Sequence, residues 1–233
     1  MNEQMKTKQQ MYNRFLHHNM AIVGGFLAGY AVLIHSNFLG NAQTSNLIFF
    51  VFSILKRNPL QAVLRFFGVL LYASGGIAFV FVKNKTKYDV RAVSMIITSL
   101  MILILGLMPA DIDFVIGLFP IFFAMAFQWN SFPGEYGYVS STIFSTNNTR
   151  QVSLALGEIL FPNDGKKGIA AKERNRQYWH KAVFFMGSLL GFHIGVVVSY
   201  LLVQQFGIKA VWFDWIFIAT GIILLINEKM LMS

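Results

Sequence analysis

The sequence GGFLAGYAVLIHSNFLGNAQTSNLIFFVFSIL, residues 24–55, decides how this chain is arranged. The first part of this stretch is the end of a long apolar run, a polar segment follows, and residues 47–55 are apolar again. A helix needs roughly 20 apolar residues to cross the hydrocarbon core of a bilayer, which is about 30 Å thick. Nine residues of helix rise only about 14 Å. Residues 47–55 therefore predict a short helix that enters a membrane without crossing it.

The composition as a whole is that of a membrane protein. Of the 233 residues, 55% are hydrophobic and only 12% are charged, whereas soluble domains are about 25% charged. Long apolar runs recur at residues 20–34, 62–82, 93–107, 112–127, 182–203 and 210–226. None of these runs alternates as a barrel strand does, so the sequence predicts an all-α membrane protein.

The basic residues favour six crossings over a larger number. They cluster at residues 6–14, 56–57, 83–91 and 166–181, and Lys and Arg collect in the cytoplasmic loops of membrane proteins. If the short runs 47–55 and 152–160 re-enter the membrane, about six transmembrane helices and two re-entrant helices result. Both termini and residues 83–91 are then cytoplasmic. The alternative, seven or eight full spans, puts residues 83–91 outside.

The chain is predicted to be one unit used twice. Residues 24–46 align without a gap with residues 126–148, AFQWNSFPGEYGYVSSTIFSTNN, at an offset of 102. In each, a bend-prone segment precedes Thr-Ser-Asn or Thr-Asn-Asn, a short apolar helix and two long runs. The predicted parts are a lead (1–19), a first membrane repeat (20–110), and a second membrane repeat (111–233) with a hydrophilic loop (161–180). Six spans give inverted repeats, whereas full spans throughout give parallel repeats.

At these motifs the chain resembles the YoaK-like family of bacterial membrane proteins, a domain of unknown function. The resemblance covers nearly the whole chain and rests on four stretches: residues 24–28 (GGFLA), 38–46 (FLGNAQTSN), 128–130 (QWN) and 146–148 (TNN). Ala28 stands where the family usually has Asp, and Ser45 and Asn147 stand where Gly is usual. The resemblance implies a transporter at most, in the plasma (inner) membrane of a bacterium, and it names no solute.

The paired Thr-x-Asn motifs are the candidate binding site. Thr, Ser and Asn are favoured helix N-caps, and a helix N-terminus offers unpaired N–H groups with about half a positive charge. Two such termini at the membrane midplane suit a small anion, a carboxylate or a polar neutral solute. In the alternative, these side chains satisfy one another and nothing binds. The candidate residues are Asn41, Gln43, Thr44, Asn46, Gln128, Asn130, Thr146, Asn148 and Arg150.

The sequence points away from an enzyme. It has no His-Glu-x-x-His helix, Gly-x-Ser-x-Gly elbow or Walker loop, and it has no cysteine. We expect no catalytic residue, metal or cofactor, and no nucleic-acid partner, because the net charge of +9 suits cytoplasmic loops. The expected function is a transporter or channel for a small polar or anionic solute. A membrane assembly or interaction protein is the alternative.

Regularly spaced glycines predict close helix packing. Gly25 and Gly29 are four residues apart, as are Gly187, Gly191 and Gly195, and such small-residue faces let two helices approach closely. Whether the contact lies within one chain or between two is left open. A homodimer is the expectation, because six spans often need a partner to enclose a wide pathway.

Arg65, His193 and Asp214 are among the ionisable residues that lie within or beside apolar runs. Arg65 is near the start of its span, where a snorkelling side chain is expected. His193 lies midway along its span, where we expect a histidine hydrogen-bonded between packed helices, with a proton relay as the alternative. Asp214 lies between Trp212 and Trp215, which favour the membrane surface, so an interfacial anchor is expected.

Overall fold

A computed structural model describes residues 3–35, 40, 42–109, 111–162 and 169–231, without the side chains of residues 169 and 170. All regular structure in these ranges is helical. The helices are α1 (Glu3–Ile34), α2 (Gln43–Leu55), α3 (Pro59–Lys85), α4 (Val90–Leu107), α5 (Phe114–Gly117), α6 (Phe119–Ser131), α7 (Thr146–Leu160), α8 (Ile169–Phe206), a 3₁₀ helix (Gly207–Asp214) and α9 (Trp215–Met230).

Within the described ranges, five helical stretches are long and apolar enough to cross a membrane: Glu3–Ile34, Pro59–Lys85, Val90–Leu107, Phe114–Ser131 and Ala171–Met230. The last one is 60 residues long and would measure about 90 Å as a straight helix. It turns back at Gly207, whose φ of +55° lies in the left-handed region that favours glycine. It therefore supplies two spans, α8 and α9, and the all-α fold has the six spans predicted.

α1 and α9 run antiparallel. At one end of the pair, Gln9 Nε2 donates to Glu228 Oε1 at 3.0 Å. Toward the other end, the Tyr30 hydroxyl donates to the carbonyl of Ile208 at 3.1 Å. We call the side where Gln9 and Glu228 meet the N side of the protein, and the other side the opposite side.

α4 also runs antiparallel to α9. Arg91 pairs with Glu228 on the N side, whereas the carbonyl of Ser99 accepts a hydrogen bond from the Trp215 indole deeper in the bundle. Only residues 86–89 join α3 to α4, so α3 runs in the direction opposite to α4.

α8 runs parallel to α1 and packs against it through glycines. Gly187 lies against His18 and, farther along, Gly29 lies against Ser199. A Cβ on Gly25 would collide with the α8 backbone, so the close approach requires glycine. The two small-residue faces therefore meet within one chain. A homodimer stays a prediction.

α6 runs parallel to α3, as α8 does to α1. Gly68 lies against Phe122, and farther along the rings of Phe79 and Phe127 have centroids 5.9 Å apart. Thus α1, α4 and α8 run from the N side to the opposite side, while α3, α5–α6 and α9 run back.

The first and second halves of the chain pack in a matching way. α1 packs against α8 and α9, while α6 packs against α3 and α4; α2 lies on α3, and α7 lies on α8. When α1, α2, α3 and α4 are matched in chain order with α6, α7, α8 and α9, each of these contacts has a counterpart. The α1–α8 contact matches α6–α3, α1–α9 matches α6–α4, and α2–α3 matches α7–α8. Corresponding spans run in opposite directions.

Neither short helix crosses the bundle. α2 begins beside the second turn of α3, where Asn46 Nδ2 donates to the carbonyl of Arg65, and it ends on the opposite side. α7 begins midway along α8, where the Ser140 hydroxyl contacts both Asn148 and Ser188, and it ends on the N side. These are the two re-entrant helices predicted, although α7 begins at Thr146, before the apolar run 152–160.

A charged cluster ties the α3–α4 connection to the end of α9 on the N side. Arg91 Nη2 lies 3.0 Å from Asp89 Oδ2 and 3.1 Å from Glu228 Oε2, and Lys229 Nζ lies 3.0 Å from Asp89 Oδ2. Burial opposes ionisation of Asp89, but hydrogen bonds from Arg91 and Lys229 outweigh it and lower the pKa of Asp89 below its ordinary value. The cluster holds residues 83–91 on the side where α1 begins.

The surroundings of Arg65, His193 and Asp214 differ from those expected. Arg65 is buried, with its guanidinium over the rings of Phe49 and Phe114 at 5.2 and 5.5 Å, because α2 and α5 cover the start of α3. His193 is exposed on α8, and its ring bonds within its own helix rather than to a neighbour. Asp214 is fully buried, so it is not an interfacial anchor.

Candidate binding cleft between the two short helices

The first turns of α2 and α7 open into one cleft of about 810 Å³. The two sequence motifs, 102 residues apart, therefore lie together although they belong to opposite halves of the chain. The lining residues come from α2 and the residue before it, from the start of α7 and the segment before it, and from α3 and α6: Ala42, Gln43, Thr44, Ser45, Leu47, Ile48, Tyr72, Trp129, Phe144, Thr146, Asn147 and Arg150.

Four of the nine predicted site residues line this cleft: Gln43, Thr44, Thr146 and Arg150. Thr44, Thr146 and Arg150 are exposed, so their side chains are accessible to a solute. Asn41 lies outside the described residues. The other four predicted residues do not line the cleft.

Asn46 is buried beneath the cleft and 2% exposed. Its Nδ2 donates to Gln43 Oε1 and to the carbonyl of Arg65, each at 3.1 Å. The side chain thereby fixes the first turn of α2 against α3 and positions Gln43 at the cleft.

Asn148 takes the same place in the second half and is fully buried. Its Oδ1 accepts hydrogen bonds from the Ser140 hydroxyl at 3.0 Å and from the Ser141 N–H at 3.3 Å. Its Nδ2 donates to the Ser141 carbonyl at 2.8 Å. Asn148 therefore fastens the irregular segment before α7 to the first turn of that helix.

Gln128 and Asn130 also lie outside the cleft lining. Gln128 is fully buried, and its Nε2 donates to the Met20 carbonyl at 3.1 Å and to the Thr142 hydroxyl at 3.3 Å. Asn130 is exposed, and its Nδ2 donates to a carbonyl one turn earlier in α6. Gln128 thus joins α6 to α1, and Asn130 bonds within its own helix.

The Thr-x-Asn motifs are not helix caps, contrary to prediction. The N-cap residues are Ala42 and Ser145, and neither makes a side-chain capping bond. The motifs instead form the first helical turns, because their asparagines bond to neighbouring segments. The first-turn N–H groups of α2 and α7 therefore have no N-cap side chain to satisfy them.

The cleft favours negative charge. Arg150 is the charged residue among the described lining residues, and it lies one turn into α7. The N-terminal ends of two helices add partial positive charge of about half a unit each. A small anion or the acceptor oxygens of a polar solute therefore match the site better than a cation does.

Sequence reasoning missed the aromatic lining of the cleft. Tyr72 and Trp129 stand on α3 and α6, which pack side by side. Trp129 lies between Gln128 and Asn130, whose polarity makes them the predicted site residues of that stretch. The signal that would have found it is its large apolar side chain within a motif that was already assigned to the site.

A family comparison places these features in context. A family described as "Protein of unknown function (DUF1275)" matches residues 16–225. The chain belongs to the DUF1275 family. This DUF1275 match fits the resemblance to YoaK-like proteins, and it includes both motifs and the whole cleft. No curated protein and no solved structure matches the chain.

In this DUF1275 chain a second, mostly apolar cavity of about 360 Å³ adjoins the cleft. Ala42, Phe144 and Thr146 line both spaces. Ala28, the position where the YoaK-like pattern usually has Asp, lies in the wall that α1 and α8 give to the second cavity. The two spaces together offer a polar part beside Arg150 and an apolar part beside Ala28.

Proposed function

We propose that this protein moves a small polar or anionic solute across the bacterial plasma membrane, as a transporter or channel. The observation that carries the proposal is the single cleft lined by the first turns of both re-entrant helices and by Arg150. Helix ends inside a membrane are costly unless neighbouring groups, water or a ligand satisfy their backbone groups. A solute with acceptor oxygens meets that requirement in the cleft.

The arrangement of the spans supports the same proposal. Corresponding helices of the two halves run in opposite directions and make corresponding contacts, as an inverted repeat does. Inverted repeats with broken helices that meet near the midplane recur in secondary transporters. The N side is cytoplasmic in this proposal, because residues 6–14, 83–91 and 172–181 bring their basic side chains there.

The test is solute flux in proteoliposomes. The probes are acetate, lactate and phosphate, with acetamide and glycerol as neutral solutes, and light scattering follows vesicle swelling. We expect protein-dependent flux of at least one probe. For an anion, Arg150→Gln is expected to reduce the flux at least about tenfold, since it removes the charge that faces the cleft.

The matched control is Arg176→Gln, which removes an exposed arginine near the start of α8, away from the cleft. It should leave the flux unchanged, and both variants should elute as folded protein. Flux of no probe above that of empty vesicles contradicts the proposal and favours an assembly or interaction protein. An equal effect of the two variants contradicts the assignment of the cleft.

A further inference from the structure

Asp214 is a buried acid that the proposed solute pathway does not use. Its side chain is fully buried, and neither carboxyl oxygen has a hydrogen-bond partner among the residues that the structure describes. Asp214 precedes α9 but makes no side-chain capping bond to it. Its carboxyl group therefore has no evident structural task.

The position of Asp214 is deep in the membrane. Glu228, in the charged cluster on the N side, follows 14 residues later along α9, which corresponds to about 21 Å of helix. The next residue, Trp215, donates its indole N–H to the carbonyl of Ser99, midway along α4. Since the hydrocarbon core is about 30 Å thick, Asp214 lies well inside it.

No charged group compensates this carboxyl within the described helices around it. The 3₁₀ helix packs against α1, α4, α8 and α9. On α4 and α9, the charged side chains nearest to the 3₁₀ helix along each helix are Arg91 and Glu228, which pair with each other on the N side. On α1 and α8 they are Arg14 and Lys181, which belong to the parts of those helices nearer the N side. Lys209 of the 3₁₀ helix itself is exposed.

Among the described residues, the neighbouring titratable groups make no hydrogen bond to Asp214. On α1, Tyr30 donates its hydroxyl to the carbonyl of Ile208. His35, the residue after α1, contacts the Tyr30 ring with centroids 6.0 Å apart. On α8, His193 and Tyr200 are exposed. Residues 94–107 of α4 and 215–227 of α9 contain no ionisable side chain. An ionised carboxylate here has no partner in the part of the chain that the structure describes, so the protonated acid is the stable form.

The backbone at Asp214 is suited to movement. Eight residues, Gly207–Asp214, form a 3₁₀ helix, although such helices rarely exceed 3–4 residues and within longer helices often mark hinges. Asp214 lies where this segment meets α9. A rearrangement of the segment would change the access of water to the carboxyl group.

We propose that Asp214 is a proton-binding site, protonated in this conformation and able to release its proton when the 3₁₀ segment rearranges and admits water. The step is one proton exchange: the O–H bond of the acid breaks, its electron pair stays on the carboxylate, and water takes the proton. The proposal goes beyond solute transport, because proton binding is measurable with no solute present.

The first experiment is infrared spectroscopy of the full chain in liposomes. The chain has 10 acidic residues, and at neutral pH a protonated carboxyl gives a carbonyl band that carboxylates lack. We expect such a band at pH 7 in the wild type, its loss in Asp214→Asn, and its retention in the matched control Asp111→Asn, which alters an exposed acid. A wild-type spectrum without the band, or with a band that Asp214→Asn retains, overturns the proposal.

The second experiment tests proton release. With Trp129 and Trp179 replaced by Phe, the remaining tryptophans, Trp212 and Trp215, flank Asp214. As pH rises, the carbonyl band and the fluorescence should change together, and Asp214→Asn should remove the pH response. A band that persists to the pH at which the protein unfolds, or a fluorescence change that Asp214→Asn retains, overturns the proposal. If Asp214→Asn does not fold, the joint titration of the tryptophan-reduced protein decides.

Discussion

Thr44 and Asn46 show how one short motif serves two purposes. The two residues are about 200° apart around a helix, so Thr44 faces the cleft while Asn46 is buried against α3. Thr146 and Asn148 repeat this arrangement on α7. The threonines are therefore the candidates for contact with a solute, and the asparagines hold the short helices in place.

Replacement of Asn148 by alanine is expected to destabilise the protein more than replacement of its neighbour Asn147. Asn148→Ala removes the side-chain partner of the buried N–H and carbonyl groups of Ser141, and each unsatisfied buried group costs about 1–3 kcal/mol. Asn147 is only partly buried and bonds to the Val139 carbonyl at 3.3 Å. Unfolding in mixed micelles, followed by circular dichroism, measures both free energies. Equal losses would contradict the positioning role of Asn148.

The sequence predicted part of the cleft, and its limit has a physical cause. Gln43, Thr44, Thr146 and Arg150 were predicted and line the space. Residue type alone does not tell which side of a helix faces a neighbour, since adjacent residues point about 100° apart. The polarity of Asn46 and Asn148 predicts that they contact a solute, but their side chains are buried and form hydrogen bonds within the protein.

Among the helices, length and charge predicted the architecture, but not the start of α7. The apolar run 152–160 marks only the second part of that helix, because Thr146–Leu160 begins with polar residues. Because Thr and Asn are favoured N-cap residues, the sequence predicts that residues 146–148 cap the helix instead of forming its first turn. The tertiary bonds of Asn148 to the preceding segment overrode that preference.

The α1–α8 contact is expected to tolerate no added methyl group at Gly25. A Cβ there would collide with the backbone of Phe192, whereas a Cβ on Gly76 of α3 meets nothing within 4 Å. Gly25→Ala should lower the thermal midpoint, and Gly76→Ala should leave it unchanged or raise it, because alanine favours a helix by about 1 kcal/mol. Size-exclusion elution after heating measures both midpoints. A Gly25→Ala protein as stable as the wild type would show that α1 and α8 do not pack so closely.

For the whole protein, the side of the membrane on which α3 and α8 end distinguishes six spans from eight full spans. With six spans, the end of α3 lies on the N side and the end of α8 lies on the opposite side. With eight full spans, both ends lie outside. Asn84 and Gln205 are exposed, uncharged residues near these two ends, so their replacement leaves the distribution of basic residues unchanged.

The chain has no cysteine, so Asn84→Cys and Gln205→Cys each introduce a single thiol for a membrane-impermeant reagent. We expect Asn84→Cys to react only in inverted vesicles and Gln205→Cys only in intact cells, because the cluster around Asp89 holds the α3–α4 connection beside the start of α1. Reaction of both variants in intact cells would mean that the short helices cross. The halves would then be parallel, and the first turns of α2 and α7 would have to be placed at the membrane surface.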